Sequence, residues 1–230
     1  MGKFITLLLL GLLAVYGLLL AKPDLYFDRK LEHGSFVLHA RGPLPDSPEA
    51  VLDDAEQAVA ASDIYLQGSR FDVYLPSGPG QYKFFTPLLS GDYFRVGPFN
   101  GAIYLANADF TAKEARPYSG AEQRRSLRGV LVAAAVWDMV RLKVRPLTFF
   151  AMDKWMVRGY AEMISGGTGE FAPQDACGAA SRPGLDDYRF GLMLDRVLKE
   201  ENTVFNDLLG RNYSEEQAES RFRKAYCGAS

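Results

Sequence analysis

The sequence predicts an α+β fold, because strand patterns fill its first half and helix patterns fill its second half. Apolar and polar residues alternate from Ser35 to Ala40 and from Phe71 to Leu75, and the apolar segment from Ala102 to Ala106 is a third strand candidate. Between the first two strands, the segment from Ser47 to Ser62 has one apolar face at helical spacing. We therefore expect an N-terminal mixed sheet with one helix packed on it.

The second half is predicted to be helical. The segment from Gly120 to Val144 contains too few polar residues for a surface helix and is expected to form a buried central helix. A second, shorter helix is predicted from Asp153 and should stop at Gly166 and Gly167. Further helices are expected around Tyr188 to Glu200 and Glu215 to Tyr226, with a short helical segment between them near residues 202–209.

The N-terminal segment from Phe4 to Ala21 is uncharged and lies between Lys3 and Lys22. Its length is about the minimum that crosses a hydrocarbon core of roughly 30 Å. A cleaved secretory signal is the alternative, but Leu19 stands where signal peptidase usually requires a small residue. We therefore predict a single-pass signal anchor in residues 1–22, followed by one domain in residues 23–230.

The side of the membrane is a separate question. Lys22, Arg29, Lys30 and Arg41 follow the span, so the charge rule would place the domain in the cytoplasm. The short N-terminal tail and signal-like shape favour translocation instead, and long domains often translocate regardless of such charges. We expect the domain outside the cytoplasm.

Composition excludes two classes of protein. The 26 Lys and Arg residues are scattered among 28 Asp and Glu residues, so no basic surface for nucleic acid is expected. A hydrophobic content of 48% excludes a disordered chain.

Cys177 and Cys227 are the only cysteines. They would form a disulfide in an oxidising compartment, and two free thiols are the alternative.

The two central helices resemble the active-site helices of gluzincin metallopeptidases, the thermolysin-like and aminopeptidase-like (peptidase-MA-like) group. In that family the first helix carries His-Glu-x-x-His after a short apolar lead, which corresponds here to residues 130–132. The second helix carries a Trp, then Glu-Gly and a small-residue and acidic pair. The corresponding residues here are Trp155, Gly159, Tyr160, Ala161 and Glu162.

The resemblance implies a degenerate member of the family. The two His positions are Ala133 and Trp137, the general-base position is Ala134, and the third-ligand position is Arg158. A methyl group offers no lone pair, an indole N–H only donates, and a guanidinium stays charged, so none of the four can ligate zinc. We therefore expect a pseudoenzyme with no zinc and no other cofactor.

The resemblance also implies a retained binding cleft. An extended peptide would add to the strand at residues 102–106, taken as the sheet edge, with Tyr104, Tyr160 and Glu162 lining the cleft. Trp137 would fill the space that zinc leaves, and Arg158 would lie over its ring or pair with Glu162. The leading hypothesis is a membrane-anchored binding or scaffolding module.

Two alternatives come from other classes. One is a hydrolase that uses Asp138 and Glu162 with Tyr160, although the more ordinary interpretation of Asp138 is a surface carboxylate. The other is a purely structural envelope protein.

His33 and His39 are too far apart in an extended strand to share an ion and are expected to be ordinary solvated or edge histidines.

Overall fold

The computed structural model describes residues 2–228 apart from 88, 90, 120–122, 146, 147, 150, 151, 167–170, 179–181, 183 and 212. The helices are α1 (Gly2–Ala21), α2 (Glu49–Ala60), α3 (Pro79–Phe85), α4 (Leu127–Lys143), α5 (Lys154–Ser165), α6 (Leu185–Glu201), α7 (Phe205–Leu208) and α8 (Glu215–Tyr226). The strands are β1 (Arg29–His33), β2 (Phe36–Ala40), β3 (Phe71–Leu75), β4 (Phe94–Val96), β5 (Ile103–Leu105), β6 (Asn107–Asp109), β7 (Glu114–Arg116) and β8 (Arg125–Ser126). The α+β class is confirmed, as is the order of sheet first and helices second.

The main sheet is mixed and has the strand order β1-β2-β3-β5-β4. Strands β2, β3 and β5 run parallel, while β1 and β4 are the antiparallel outer strands. The expectation that residues 102–106 form the edge is therefore wrong, because β4 pairs with β5 on its outer side, with Arg95 opposite Tyr104. A separate three-stranded sheet joins β6, β7 and β8.

The inner face of the main sheet packs against α2 and α4. Alternate residues of the three parallel strands, such as Leu38, Val73 and Ile103, are fully buried in this core. Helix α4 supplies its other side and is buried through most of its length, as the sequence predicts. The 120–122 part of the predicted central helix lies outside the described residues, and α4 begins at Leu127.

The outer face of the sheet is also covered, which explains why all five residues of β2 are buried. We call its buried aromatic layer the outer-face cluster. Its members are Phe27, Tyr74, Tyr82, Phe85, Ala102, Tyr104 and Ala106. The cover comes from α3 and from the end of α1, where Leu19 and Leu20 pack against the cluster. The Gly and Pro residues of 76–82 predict a loop, but residues 79–82 belong to α3.

Helices α4, α5 and α6 form the second layer. The closest approach of α5 to α6 is at two glycines, because an added Cβ on Gly159 would lie 2.4 Å from the carbonyl oxygen of Phe190 and Gly191 lies opposite. A disulfide joins Cys177, in a short 3₁₀ turn, to Cys227 directly after α8. The chain's C-terminal helix is thus held to the loop that precedes α6.

Helix α1 is long and apolar enough to cross a membrane over residues 3–21. A signal sequence near the N-terminus has the same length and apolar composition. The prediction of an N-terminal segment long and apolar enough to cross a membrane is confirmed.

Candidate functional site

The four positions that the resemblance compares with zinc-site residues lie on two neighbouring helices, α4 and α5. Ala134 is fully buried against the core, while Ala133 and Trp137 are partly buried and pack against the same core. The Trp137 ring meets the Phe149 ring edge to face, with centroids 5.8 Å apart. Trp137 therefore serves as a packing residue at this end of α4.

Arg158 has partners other than those that the sequence suggested. Its Nε donates to Asp187 Oδ1 at 2.6 Å, and its guanidinium lies over the Phe190 ring, 4.9 Å from the centroid. Both of these partners belong to α6, whereas the sequence suggested Trp137 or Glu162. The two arms of the expected site, Trp137 and Arg158, thus have separate neighbours among the described residues.

Asp187 links Arg158 to a second arginine. Arg125 Nη2 donates to Asp187 Oδ2 at 2.6 Å, and the Arg125 guanidinium lies over the Tyr93 ring at 5.3 Å. Tyr93 directly precedes the outer strand β4. We call Tyr93, Arg125, Asp187 and Arg158 the arginine row, which runs from the edge of the sheet to α5.

The two arginines of the arginine row share the Asp187 carboxylate, and the Glu215 carboxylate also interacts electrostatically with Arg158. Asp187 is only 17% exposed and accepts from both guanidiniums, so one carboxylate serves two cations. Arg158 keeps 41% of its side chain exposed, and the fork of a guanidinium suits a planar carboxylate. The exposed guanidinium of Arg158 can bind an anion.

The three residues expected to line a cleft do not lie together. Tyr104 belongs to the outer-face cluster, on the side of the sheet away from α4, and stacks on Tyr74 at 5.2 Å. Tyr160 stacks on Phe205 at 4.0 Å and donates from its hydroxyl to Asp63 Oδ1. Glu162 lies beside Gly191 at the contact of α5 with α6. The expectation that they share one cleft is therefore wrong.

Asp138 is buried rather than exposed, so its interpretation as a surface carboxylate is wrong. Arg141 Nε, one helical turn further, donates to Asp138 Oδ1 at 2.7 Å. Burial raises the pKa of the Asp138 carboxyl, and Arg141 offsets part of that rise. Gly101 lies against this ion pair with a φ of 71°, and an added Cβ there would come within 2.5 Å of Asp138 Oδ1. Asp138 therefore joins α4 to the loop before β5.

His39 is buried in an interior strand, and the expectation of a solvated or edge histidine is wrong for it. Its Nε2 donates to Asp72 Oδ1 at 2.9 Å, and its ring stacks on Tyr74 at 4.6 Å. Asp24, which follows α1, faces His39 Nδ1 at 3.6 Å and accepts from the Tyr74 hydroxyl. The cluster fastens the end of α1 to the centre of the sheet.

The carboxylate and the phenol of this cluster are perturbed in opposite directions. Burial raises the pKa of Asp72, but the hydrogen bonds from His39 and Arg70 lower it by more than burial raises it. The pKa of Asp72 therefore lies below its usual value. Burial and the neighbouring Asp24 carboxylate raise the pKa of Tyr74. His33, in contrast, bonds Asp53 at 2.6 Å at the outer strand β1, as an edge histidine does.

The described residues contain no group of three or more His, Cys, Asp and Glu side chains arranged for a metal ion. Two surface depressions of about 340 and 360 Å³ lie near Asn206 and near Glu56. Neither depression is lined by Ala133, Ala134, Trp137 or Arg158.

Comparison with models of protein families, with characterised proteins and with solved structures finds no match to the chain. The resemblance to gluzincins therefore depends on the residues of α4 and α5 and on the order of the elements.

Proposed function

We propose that this chain is a membrane-anchored, non-catalytic binding module that keeps the helix pair of a gluzincin metallopeptidase. The observation that carries the proposal is the chemistry of the helix pair itself. Where the family's pattern places two His and two Glu, α4 and α5 present Ala133, Ala134, Trp137 and Arg158. These side chains lack the lone pairs that bind zinc, and Ala134 lacks a carboxylate that would activate water.

The ligand that best fits the exposed chemistry is a carboxylate-bearing peptide segment. Both guanidiniums of the arginine row bond the same carboxylate, Asp187, and Arg158 is the more exposed of the two arginines. Such a ligand would form charge-assisted hydrogen bonds with Arg158, which are stronger than neutral ones. The proposal does not depend on backbone hydrogen bonds between the peptide and β4, since that strand has only three residues to offer.

The same proposal places the domain outside the cytoplasm, held by α1. The helix has the length and apolar character of a span. The disulfide between Cys177 and Cys227 supports an oxidising compartment, since such bonds are rare where glutathione keeps thiols reduced.

Two measurements on the purified full chain in detergent test the proposal. Elemental analysis, together with a peptide-cleavage assay, should give zinc well below one ion per chain and no cleavage. An immobilised peptide array that varies the position and number of carboxylates should then find binders. Stoichiometric zinc or metal-dependent cleavage would contradict the proposed loss of activity.

Variant Arg158→Gln should lose most of the binding to those peptides. Arg223→Gln is the matched control, because Arg223 on α8 has a similar exposure and also forms an ion pair, with Glu219. Equal binding by both variants would show that the arginine row is not the site.

A further inference from the structure

The end of α1 is fixed to the folded domain on two sides. The Tyr16 hydroxyl donates to the Phe84 carbonyl oxygen at 2.8 Å, and the two rings lie 4.9 Å apart. On another side, Asn100 Nδ2 donates to the Leu20 carbonyl oxygen at 3.0 Å. Leu19 and Leu20 pack against the outer-face cluster. The last two turns of the helix are therefore part of the domain as well as part of the apolar segment.

This overlap restricts how the helix can lie in a bilayer. The part from Phe4 to Val15, which precedes Tyr16, is about 18 Å long at about 1.5 Å per residue. A hydrocarbon core is about 30 Å thick, so this part alone is too short to cross it. The turns that contact the domain must therefore reach at least the edge of the hydrocarbon. The groups that touch Tyr16 and Leu20 are brought to the same depth.

Large apolar side chains are exposed around these contacts. Leu25 in the 3₁₀ turn after α1, Phe84 at the end of α3 and Phe99 before β5 are 61%, 43% and 79% exposed. Phe84 contacts Tyr16 directly, and Phe99 is adjacent to Asn100. Three separate segments thus present large apolar side chains around one end of α1. Lys22 and Lys83 are exposed beside them, where long cationic side chains can reach lipid headgroups.

We propose that Leu25, Phe84 and Phe99 enter the headgroup boundary of the bilayer, so that the outer face of the domain rests on the membrane. We call these three residues the membrane-contact ring. The inference relies on the proposed membrane anchor and adds a fixed orientation to it. The inner layer of α4, α5 and α6, with the arginine row, then faces away from the lipid.

The full chain reconstituted in vesicles of phosphatidylcholine and phosphatidylglycerol tests this orientation. Cys177 and Cys227 are bonded to each other, so a single introduced cysteine provides a unique thiol for an environment-sensitive fluorophore. Labels at Phe84→Cys and Phe99→Cys should lose most of their emission to lipids with a nitroxide near the headgroup. They should lose less to lipids with a nitroxide deep in the acyl chain.

Two control labels sit at Leu66→Cys and Val204→Cys, which replace exposed apolar residues outside the membrane-contact ring. Their emission should be unaffected by either lipid. Equal quenching of all four sites would overturn the inference, because it would indicate adsorption without a fixed face.

A label at Leu12→Cys separates the inference from the anchor. Leu12 lies in the middle of α1, so deep nitroxides should quench it if the helix spans the bilayer. Quenching of the Leu12 label by deep nitroxides, without quenching of the labels at Phe84 and Phe99, would support the anchor and contradict the membrane-contact ring. Absence of quenching at Leu12 would sink the anchor and, with it, the inference.

Discussion

Asp138 shows how a single buried charge can be misjudged from sequence. A lone acidic residue in an apolar helix suggests a solvent-facing position, but here the carboxylate is buried with its side chain 5% exposed. The local signal was Arg141 three residues later, on the same face of α4. What the sequence does not contain is the approach of Gly101, which covers the pair from a distant loop.

Replacing Asp138 with Ala should lower the free energy of unfolding by about 3 kcal/mol, because Arg141 would keep a buried charge without its partner. Urea unfolding followed by circular dichroism measures this change. The matched control is Asp195→Ala on α6, whose ion pair with Lys199 is much more exposed. We expect the control to lose less than about 1 kcal/mol. Similar losses in both variants would contradict a special role for the buried pair.

His39 was misplaced for a different reason. Alternation in β2 correctly indicates a strand, and a strand with one solvated face would expose this residue. The second face is covered only because α3 and the segment after α1 fold back over it, bringing Asp24 to His39 and Tyr74. No pattern in residues 35–40 encodes that cover, so burial on both faces could not be predicted locally.

At the scale of elements, the contact of α5 with α6 depends on a missing side chain. Gly159 was assigned by resemblance to a helix frame, and the structure gives a physical reason for glycine there. An added Cβ would lie 2.4 Å from the backbone oxygen of Phe190, which cannot move without shifting α6. Gly191, in contrast, would bring its Cβ no closer than 3.5 Å to the Glu162 side chain.

Gly159→Ala should therefore destabilise the protein by about 2 kcal/mol, as overpacking of a close helix contact does. Gly191→Ala should be neutral or slightly stabilising, because alanine favours helix by up to about 1 kcal/mol. Thermal unfolding of the two variants beside the parent chain measures the difference. If Gly191→Ala is the more harmful change, the assignment of the tight contact to Gly159 is wrong.

The strand order could not have been derived from the strand patterns. The three strands expected from the sequence are present and parallel, and four of the predicted helices agree with α2, α5, α6 and α8 to within a few residues. The outer strand β4, which lies between Gly91 and Gly97, has only three residues. This is too short for an alternation of apolar and polar residues to be recognised. Its pairing with β5 turned a supposed edge into an interior strand. The positions of the strands along the chain can be predicted from local patterns, but their side-by-side order in the sheet cannot.

The candidate site follows the same rule at the scale of the whole molecule. The lack of zinc-binding side chains at positions 133, 134, 137 and 158 is visible in the sequence alone. The arginine row is not, because Arg125 and Arg158 meet at Asp187, which lies 62 and 29 residues further along the chain. Since the charges of the row come from strand β8, from α5 and from α6, the packing of these three elements is what creates it.

The disulfide links the stability of the whole molecule to its compartment. It closes a loop with a sequence separation of 50 residues, and a crosslink of that span stabilises by about 4 kcal/mol through the unfolded chain. A single domain has about 5–15 kcal/mol in total, so this is a large share. The double variant Cys177→Ser/Cys227→Ser should lose about that amount in urea unfolding.

The reduced parent chain should lose the same amount as the double variant, since both remove the same crosslink. Thiol alkylation of the chain taken directly from cells then tests the compartment. If Cys177 and Cys227 do not react because they are bonded to each other, the result agrees with a domain outside the cytoplasm, where disulfides persist. Freely alkylated Cys177 and Cys227 would place the domain on the reducing side, and there the fold would have to remain stable without the tether between α8 and the loop before α6.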